Sequence, residues 1–158
     1  MVVSPPLAMA ETKKWFANTL LNISRRDFAF DIIVNDTVMI CAMGGLTDIN
    51  LQHKHAELYI VVDPKQTGKG IGQKAIQWLC NYGFMEFGLN RIYLFTLENN
   101  IGARRLYEKL GFSHEGVLRE HIFQHGRMID RHVQALLKRE WKKLSWRQRE
   151  LVLEIILD

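Results

Sequence analysis

Three glycines spaced two apart, Gly68, Gly70 and Gly72, stand between the β-prone apolar run Ala56–Val62 and an amphipathic run that reaches Phe87. Asp63-Pro64 marks a tight turn on the way in, so the stretch reads as strand, glycine loop, helix. The opening amides of a helix have no intrahelical acceptor, and the helix dipole adds about half a positive charge at that end. Such a junction favours an anion, phosphate above all. A side chain at any of the three glycines would obstruct a phosphate oxygen or require an unfavourable backbone angle.

The spacing narrows the choice of phosphate ligand. A nucleotide-hydrolysing loop needs Gly-Lys followed by Ser or Thr, whereas Gly68-Lys69 is followed by Gly70. The dinucleotide fingerprint Gly-x-Gly-x-x-Gly fails too, because Gln73 stands where its third glycine belongs.

The elements around the loop follow from periodicity. Ile71, Ala75, Trp78, Leu79 and Tyr82 recur at helical spacing, and Gly83 to Asn90 closes that segment. Arg91 to Leu97 is apolar at both alternating positions, which predicts a central strand covered on both sides. Asn99-Asn100 offers an N-cap, Ala103, Leu106, Tyr107 and Leu110 form the next stripe, and Gly111 suits the position just past the helix. Two strand–helix units in succession imply a parallel pair. Upstream, a helix is expected over Leu7–Leu21, and Phe28–Val34 with Thr37–Ala42 forms a hairpin about Asn35-Asp36. Gly44-Gly45 is expected to end or bulge the second strand, with a polar loop over Thr47–His55. Downstream, Gly116–Phe123 and Arg127–Leu137 flank Gln124-His125-Gly126 as a second hairpin. From Lys138 the chain turns basic and helical; Ser145 and Gln148 suggest a capping box, and Leu151, Val152, Ile155 and Ile156 an apolar stripe.

The chain has 158 residues, one domain by length, with 47% hydrophobic and 24% charged residues. It carries no apolar run long enough for a membrane span and no signal-like N-terminus, so a cytoplasmic protein without a membrane partner is expected. Cys41 and Cys80 lie far apart and read as buried free thiols. His53-x-His55 has no further ligand at metal spacing, so no metal is expected. A net charge of +4 suits an anionic cofactor and nucleic acid alike. The basic run Lys138–Arg149, with Trp141 and Trp146 interleaved, is the one feature that favours nucleic acid, which is the weaker reading.

Taken together, Ala56–Gly72, Glu98-Asn99-Asn100-Ile101-Gly102-Ala103, and Leu106-Tyr107-Glu108-Lys109-Leu110-Gly111-Phe112 with Glu115-Gly116 behind it resemble the GNAT superfamily of acetyl-CoA-dependent N-acetyltransferases. Within it the chain is similar to the RimJ/RimL-like branch that includes bacterial spermidine N-acetyltransferases. The resemblance covers residues from about 56 to 137 and implies an α/β fold with a mixed sheet, here divided as a domain over 1–144 and a helical tail over 145–158. Two departures stand out. Thr67 occupies a slot where the family has Gln or Arg, with Gln66 one place earlier. The family's opening strand and helix are expected to be missing ahead of the segment that starts near Val3, which exposes a sheet edge and implies coverage by a partner, as in a homo-oligomer, or by the Trp146–Leu157 tail, or else impaired activity.

The resemblance also implies roles. Ile60, Val61 and Val62 would pair with the pantetheine arm of acetyl-CoA, the backbone of Thr67, Gly68, Lys69, Gly70, Ile71 and Gly72 would hold its pyrophosphate, and Asn100 would hold the arm from the neighbouring helix start. Tyr107 would donate to the departing thiolate, Glu57 would serve as general base, and an amide near Val62 would meet the oxyanion. Arg104, Arg105 and Lys109 fit either the cofactor 3′-phosphate or a solvated helix face. The acceptor is expected to be a primary amine, a polyamine or another small amine, with Glu57, Glu115 and Glu120 as possible pocket carboxylates. A protein N-terminus, an amino sugar, or cofactor binding without catalysis are the alternatives.

Overall fold

Repeated passage between extended and helical segments builds one mixed sheet, and the helices among the described residues pack on one side of it. The computed structural model describes residues 22–34 and 37–148. Its strands are β1 (Arg26–Val34), β2 (Thr37–Asn50), β3 (His55–Val62), β4 (Arg91–Leu97), β5 (Ser113–Gln124) and β6 (Arg127–Leu137). The helices are α1 (Ile71–Met85), α2 (Ile101–Lys109) and the single turn α3 (Lys138–Trp141). The strand order is β1-β2-β3-β4-β6-β5, and among the described residues only β3 and β4 run parallel, because α1 carries the chain back across the sheet between them. Both predicted hairpins are present, the second turning at His125 and Gly126, each with positive φ. The expected helix over Leu7–Leu21, the Asn35-Asp36 turn and the Leu151–Ile156 stripe lie outside the described residues.

The core lies between the sheet and its helices. Leu46, Leu58, Ile92, Leu94 and Leu136 on the sheet meet Ile76, Leu79 and Phe84 of α1 and Leu110 after α2, all at most 2% exposed. Each such side chain stabilises the fold by about 1.5–3 kcal/mol relative to exposure. Helix α2 lies over the same face, where the buried Gln134 side chain of β6 donates to the Arg104 carbonyl at 3.2 Å. Cys41 and Cys80 are buried free thiols, and burial raises the value of both.

Four expectations need correcting. Strand β2 does not stop at Gly44-Gly45 but continues to Asn50, which leaves only a short turn before β3. The glycines serve close approach, since a Cβ on Gly45 would lie 2.1 Å from the Arg26 carbonyl oxygen of β1. The irregularity in this hairpin falls instead between Phe30 and Asp31, opposite Cys41. Strand β4 is not covered on both sides: Ile92, Leu94 and Thr96 are buried, whereas Arg91, Tyr93, Phe95 and Leu97 line a half-exposed face.

The basic segment after β6 forms one helical turn and then packs. Trp141 is buried, its indole donates to Asn81 Oδ1 of α1 at 2.8 Å, and its ring lies 5.0 Å from Phe84. The Gln148 amide donates to the same oxygen at 3.2 Å rather than to Ser145, and Trp146 packs against the core. Trp141 is thus part of the fold and offers no stacking surface for bases, and Trp146 is half-buried against the core, which weakens the ground for the nucleic-acid reading.

Candidate functional site

The cleft begins where the parallel pair ends. Strands β3 and β4 are in register at only three positions, His55 with Arg91, Ala56 with Ile92 and Glu57 with Tyr93. Beyond them β3 stays with β2 as far as Val62, and β4 stays with β6 as far as Leu97. The two strands therefore part, and the backbone of Leu58–Val62 has no strand on its β4 side. An extended ligand arm can pair there, in the crevice at the carboxyl ends of the strands.

The loop at the end of β3 is built to leave amides free. Asp63 Oδ1 accepts from the Lys65 amide at 2.9 Å and caps a 3-10 turn over Pro64–Gln66. Gly68 and Gly70 then take φ of +84° and +78°, each with open space where a Cβ would point. Gly70 caps α1 with no side-chain hydrogen bond, and the first helical bond runs from the Lys74 amide to the Gly70 carbonyl. The amides of Ile71, Gly72 and Gln73 thus have no helical acceptor. Gly72 lies against Val62, which ties the loop to the mouth of the cleft. Gln66, near the family's polar slot, is buried below: its carbonyl accepts from Lys69 Nζ at 2.8 Å and its amide faces Met39 Sδ. Thr67 bonds the Asp63 carbonyl at 3.4 Å.

On the next unit the exposed helix start carries its own cap. Asn100 Oδ1 accepts from the Ala103 amide at 3.2 Å, which leaves its NH2 group as donor to a ligand. Two turns on, Tyr107 is 7% exposed, and burial pushes its phenol up to about 12. Leu110 and Gly111, with φ +97°, close the helix as predicted.

Glu57 belongs to the half-exposed face. It sits opposite Tyr93 on β4 and 3.8 Å from Arg131 of β6. Desolvation raises its carboxyl above the ordinary value and Asp48 adds to this, while Arg131 opposes it. Around it, Tyr93 donates to Asp48 Oδ2 at 2.7 Å, Tyr59 bonds Asp27, Arg25 pairs with Asp27 at 2.7 Å, and Arg131 lies over the Phe95 ring at 4.1 Å. Tyr59 is pushed up to about 12, by burial first and then by Asp27. Sequence reasoning missed this ring of groups. Period-two spacing from Glu57 to Tyr59 and from Tyr93 to Phe95 carries the signal, but joining them needs the register. Of the other carboxylates expected here, Glu115 makes a bidentate pair with Arg91 at 2.6 and 2.5 Å, and Glu120 lies exposed in the β5 irregularity. Arg104 turns to His132 of β6 rather than to the glycine loop.

Comparison with known proteins agrees with this geometry. Residues 1–113 match the family described as the acetyltransferase (GNAT) domain. The chain is 35% identical over 112 residues to p20, an uncharacterized N-acetyltransferase of Bacillus licheniformis, covering 71% of this chain and 63% of that protein. The crystal structure of spermidine N-acetyltransferase from Vibrio cholerae in complex with CoA and spermine superposes with a TM-score of 0.79 at 29% identity, over 87% of this chain and 80% of that one. A dodecameric structure of the Vibrio cholerae spermidine N-acetyltransferase superposes with a TM-score of 0.81 at 27% identity, over 90% and 81%. The chain spans less than two thirds of the length of the first curated relatives it matches, 63% and 64%.

Proposed function

Because the chain belongs to the GNAT acetyltransferase family, we propose that it moves an acetyl group from acetyl-CoA to a primary amine by direct attack within a ternary complex. The observation that carries this reading is the uncapped start of α1 beside the parting of β3 and β4. Bound there, acetyl-CoA supplies an activated thioester. The amides of Gly68–Gly72 hold its pyrophosphate, that of Thr67 being taken by the Pro64 carbonyl; the free edge of Ile60–Val62 pairs with its arm, and the Asn100 NH2 group steadies it from α2. Positioning of this kind is the main contribution of the backbone.

The side chains then handle protons. An amine of lysine type is neutral in only about one molecule in two thousand at neutral pH, so a base must remove its proton. Glu57, directly or through water, takes that role; its raised value brings it closer to working pH. An amide near Val62 meets the oxyanion. Tyr107 then faces the leaving sulfur. A phenol at about 12 giving its proton to a thiolate near ~8.5 is uphill by roughly 5 kcal/mol. Tyr107 therefore works by hydrogen-bonding the thiolate as it forms, and solvent completes the proton transfer.

Acidic groups on the open face, Asp27, Asp48 and Glu57, support a cationic acceptor, and spermine in the related complex makes polyamines the first candidates. The dodecameric relative and the exposed Val38, Ile40 and Met43 of β2 support a homo-oligomer. Among the described residues no helix is long and apolar enough to cross a membrane.

The test is CoA release measured across a panel of polyamines, small amines, amino sugars and N-terminal peptides, beside the Tyr107→Phe variant. Release with one class, and its loss in the variant at unchanged acetyl-CoA affinity, is the expected result. Tight acetyl-CoA binding without release to any amine would reduce the protein to a cofactor-binding module, and no binding would end the reading altogether.

A further inference from the structure

On the far side of α2 from the cleft lies a hollow of about 320 Å³ that the transfer reaction does not use. Ile101, Arg104, Arg105 and Glu108 of α2 form one wall, and His114 of β5 and His132 of β6 form the other. Arg104 Nη1 stands 2.5 Å from His132 Nε2, and His132 Nδ1 stands 3.1 Å from His114 Nε2. A guanidinium only donates, so His132 Nε2 must accept. Its proton then sits on Nδ1 and is donated to His114 Nε2, which places the remaining proton on His114 Nδ1. One arginine thus fixes both tautomers, and the chain closes only while both rings are neutral.

That arrangement leaves cations without counter-charge. Among the described residues neither Arg104 nor Arg105 pairs with a carboxylate. Glu108, exposed on α2, is the one acid in the lining. Asp130 and Glu98 act on His132 from further along β6 and the end of β4, and both favour its protonated form. Each is already engaged: Asp130 Oδ1 accepts from the Glu120 amide at 2.7 Å, and Glu98 pairs with Arg127 at 3.5 Å. Against them, desolvation, then Arg104 and His114, hold the His132 ring below its ordinary value.

We propose that this hollow is a second anion site, separate from the glycine loop, which takes a phosphate-type dianion together with a proton on the His132–His114 pair. A dianion between Arg104 and Arg105 accepts from both guanidinium groups, which are suited to bidentate phosphate recognition. It draws Arg104 away from His132 Nε2 and supplies the negative charge that a protonated imidazole needs. Binding of the anion and uptake of the proton are therefore linked, each strengthening the other. The ligand class is a small phosphate, inorganic or the phosphate group of a metabolite. The site lies on the β5–β6 side of α2, whereas the cofactor crevice lies between β3 and β4, so the two do not share residues.

Sulfate serves as the probe, because it keeps both charges across the pH range and any proton taken up belongs to the protein. Calorimetric titration of sodium sulfate into the full chain, with sodium chloride at matched ionic strength as reference, is run at pH 5.5 and pH 8. Binding about tenfold tighter at pH 5.5 is expected. Imidazole NMR on the same samples shows His132 and His114 titrating at higher pH with sulfate, while His121 and His125 on the exposed β5–β6 tip do not move. Arg104→Gln abolishes the shift with the amide spectrum otherwise unchanged; should that variant misfold, Arg105→Gln on the exposed side of α2 weakens binding instead. Inorganic phosphate then displaces sulfate, and saturating CoA does not. Equal effects of sulfate and chloride, uniform shifts of every histidine, or a shift that survives when Arg104 and Arg105 are both replaced by Gln would overturn the proposal. Displacement of sulfate by CoA would make the hollow part of the cofactor site and overturn it equally.

Discussion

The two strand–helix units at the centre of the molecule, β3–α1 and β4–α2, have the same local plan and opposite endings. At α1 the cap is a glycine with φ +78° and no side chain to satisfy the first amides. At α2 the cap is Asn100, whose carbonyl oxygen accepts from Ala103. A helix start that satisfies itself is structural first, whereas one left unsatisfied in open space is a site for an external anion. In the proposed reaction a division of labour follows: the first unit would grip the cofactor pyrophosphate, and the second, carrying Tyr107 on its buried side, would serve the leaving group.

Breaking one unit should therefore leave the other's task intact. The largest effect is expected from Tyr107→Phe, which lowers turnover by about 10²-fold while the acetyl-CoA dissociation constant stays the same; steady-state kinetics beside calorimetry reads both. Glu57→Gln comes next, with a fall of tens-fold in kcat/KM, on the order of the smaller general-base effects. The sign of its pH dependence is fixed: the base acts deprotonated, so activity of the parent rises with pH through the raised Glu57 value, and this acid limb disappears in the variant. At the gripping unit, Gly70→Val places a branched side chain at φ +78°, a strain of about 1–2 kcal/mol. The variant weakens acetyl-CoA binding by about tenfold and leaves kcat at saturation near the parent value. The smallest effect belongs to the self-satisfied cap: Asn100→Ala costs about 1 kcal/mol of stability, seen as a melting temperature lower by about 2–4 °C, and the loss of its NH2 contact weakens acetyl-CoA binding by less than Gly70→Val does. Equal loss of cofactor affinity at Asn100 and Gly70 would erase the contrast between the two starts.

What the sequence shows of this plan is what local chemistry encodes. Glycine spacing, the Asn100 cap, the glycine after α2 and the alternation of strands and helices all act within a few residues, and each is found where expected. The parallel pair follows from chain connectivity. The misreadings lie where a residue answers to a distant partner. Gly44-Gly45 reads as a break, yet the glycines let β1 and β3 approach β2. Apolar residues on both faces of β4 read as double burial, although Tyr93 and Phe95 instead line an open face. Trp141 in a basic run reads as a nucleic-acid contact until Asn81, far away in sequence, accepts a hydrogen bond from its indole. The groups around Glu57 escape for the same reason, since Asp48, Tyr93 and Arg131 come from three strands and meet only through register.

The claim on which the account rests is that the amides at the start of α1 hold the cofactor pyrophosphate. Backbone amide NMR during titration with CoA addresses it directly. The largest shifts are expected on Gly68 to Gln73, with Thr67 and Ala103 nearly still because their amides already serve the Pro64 carbonyl and the Asn100 side chain. Saturable binding that leaves Gly68 to Gln73 unmoved would contradict it.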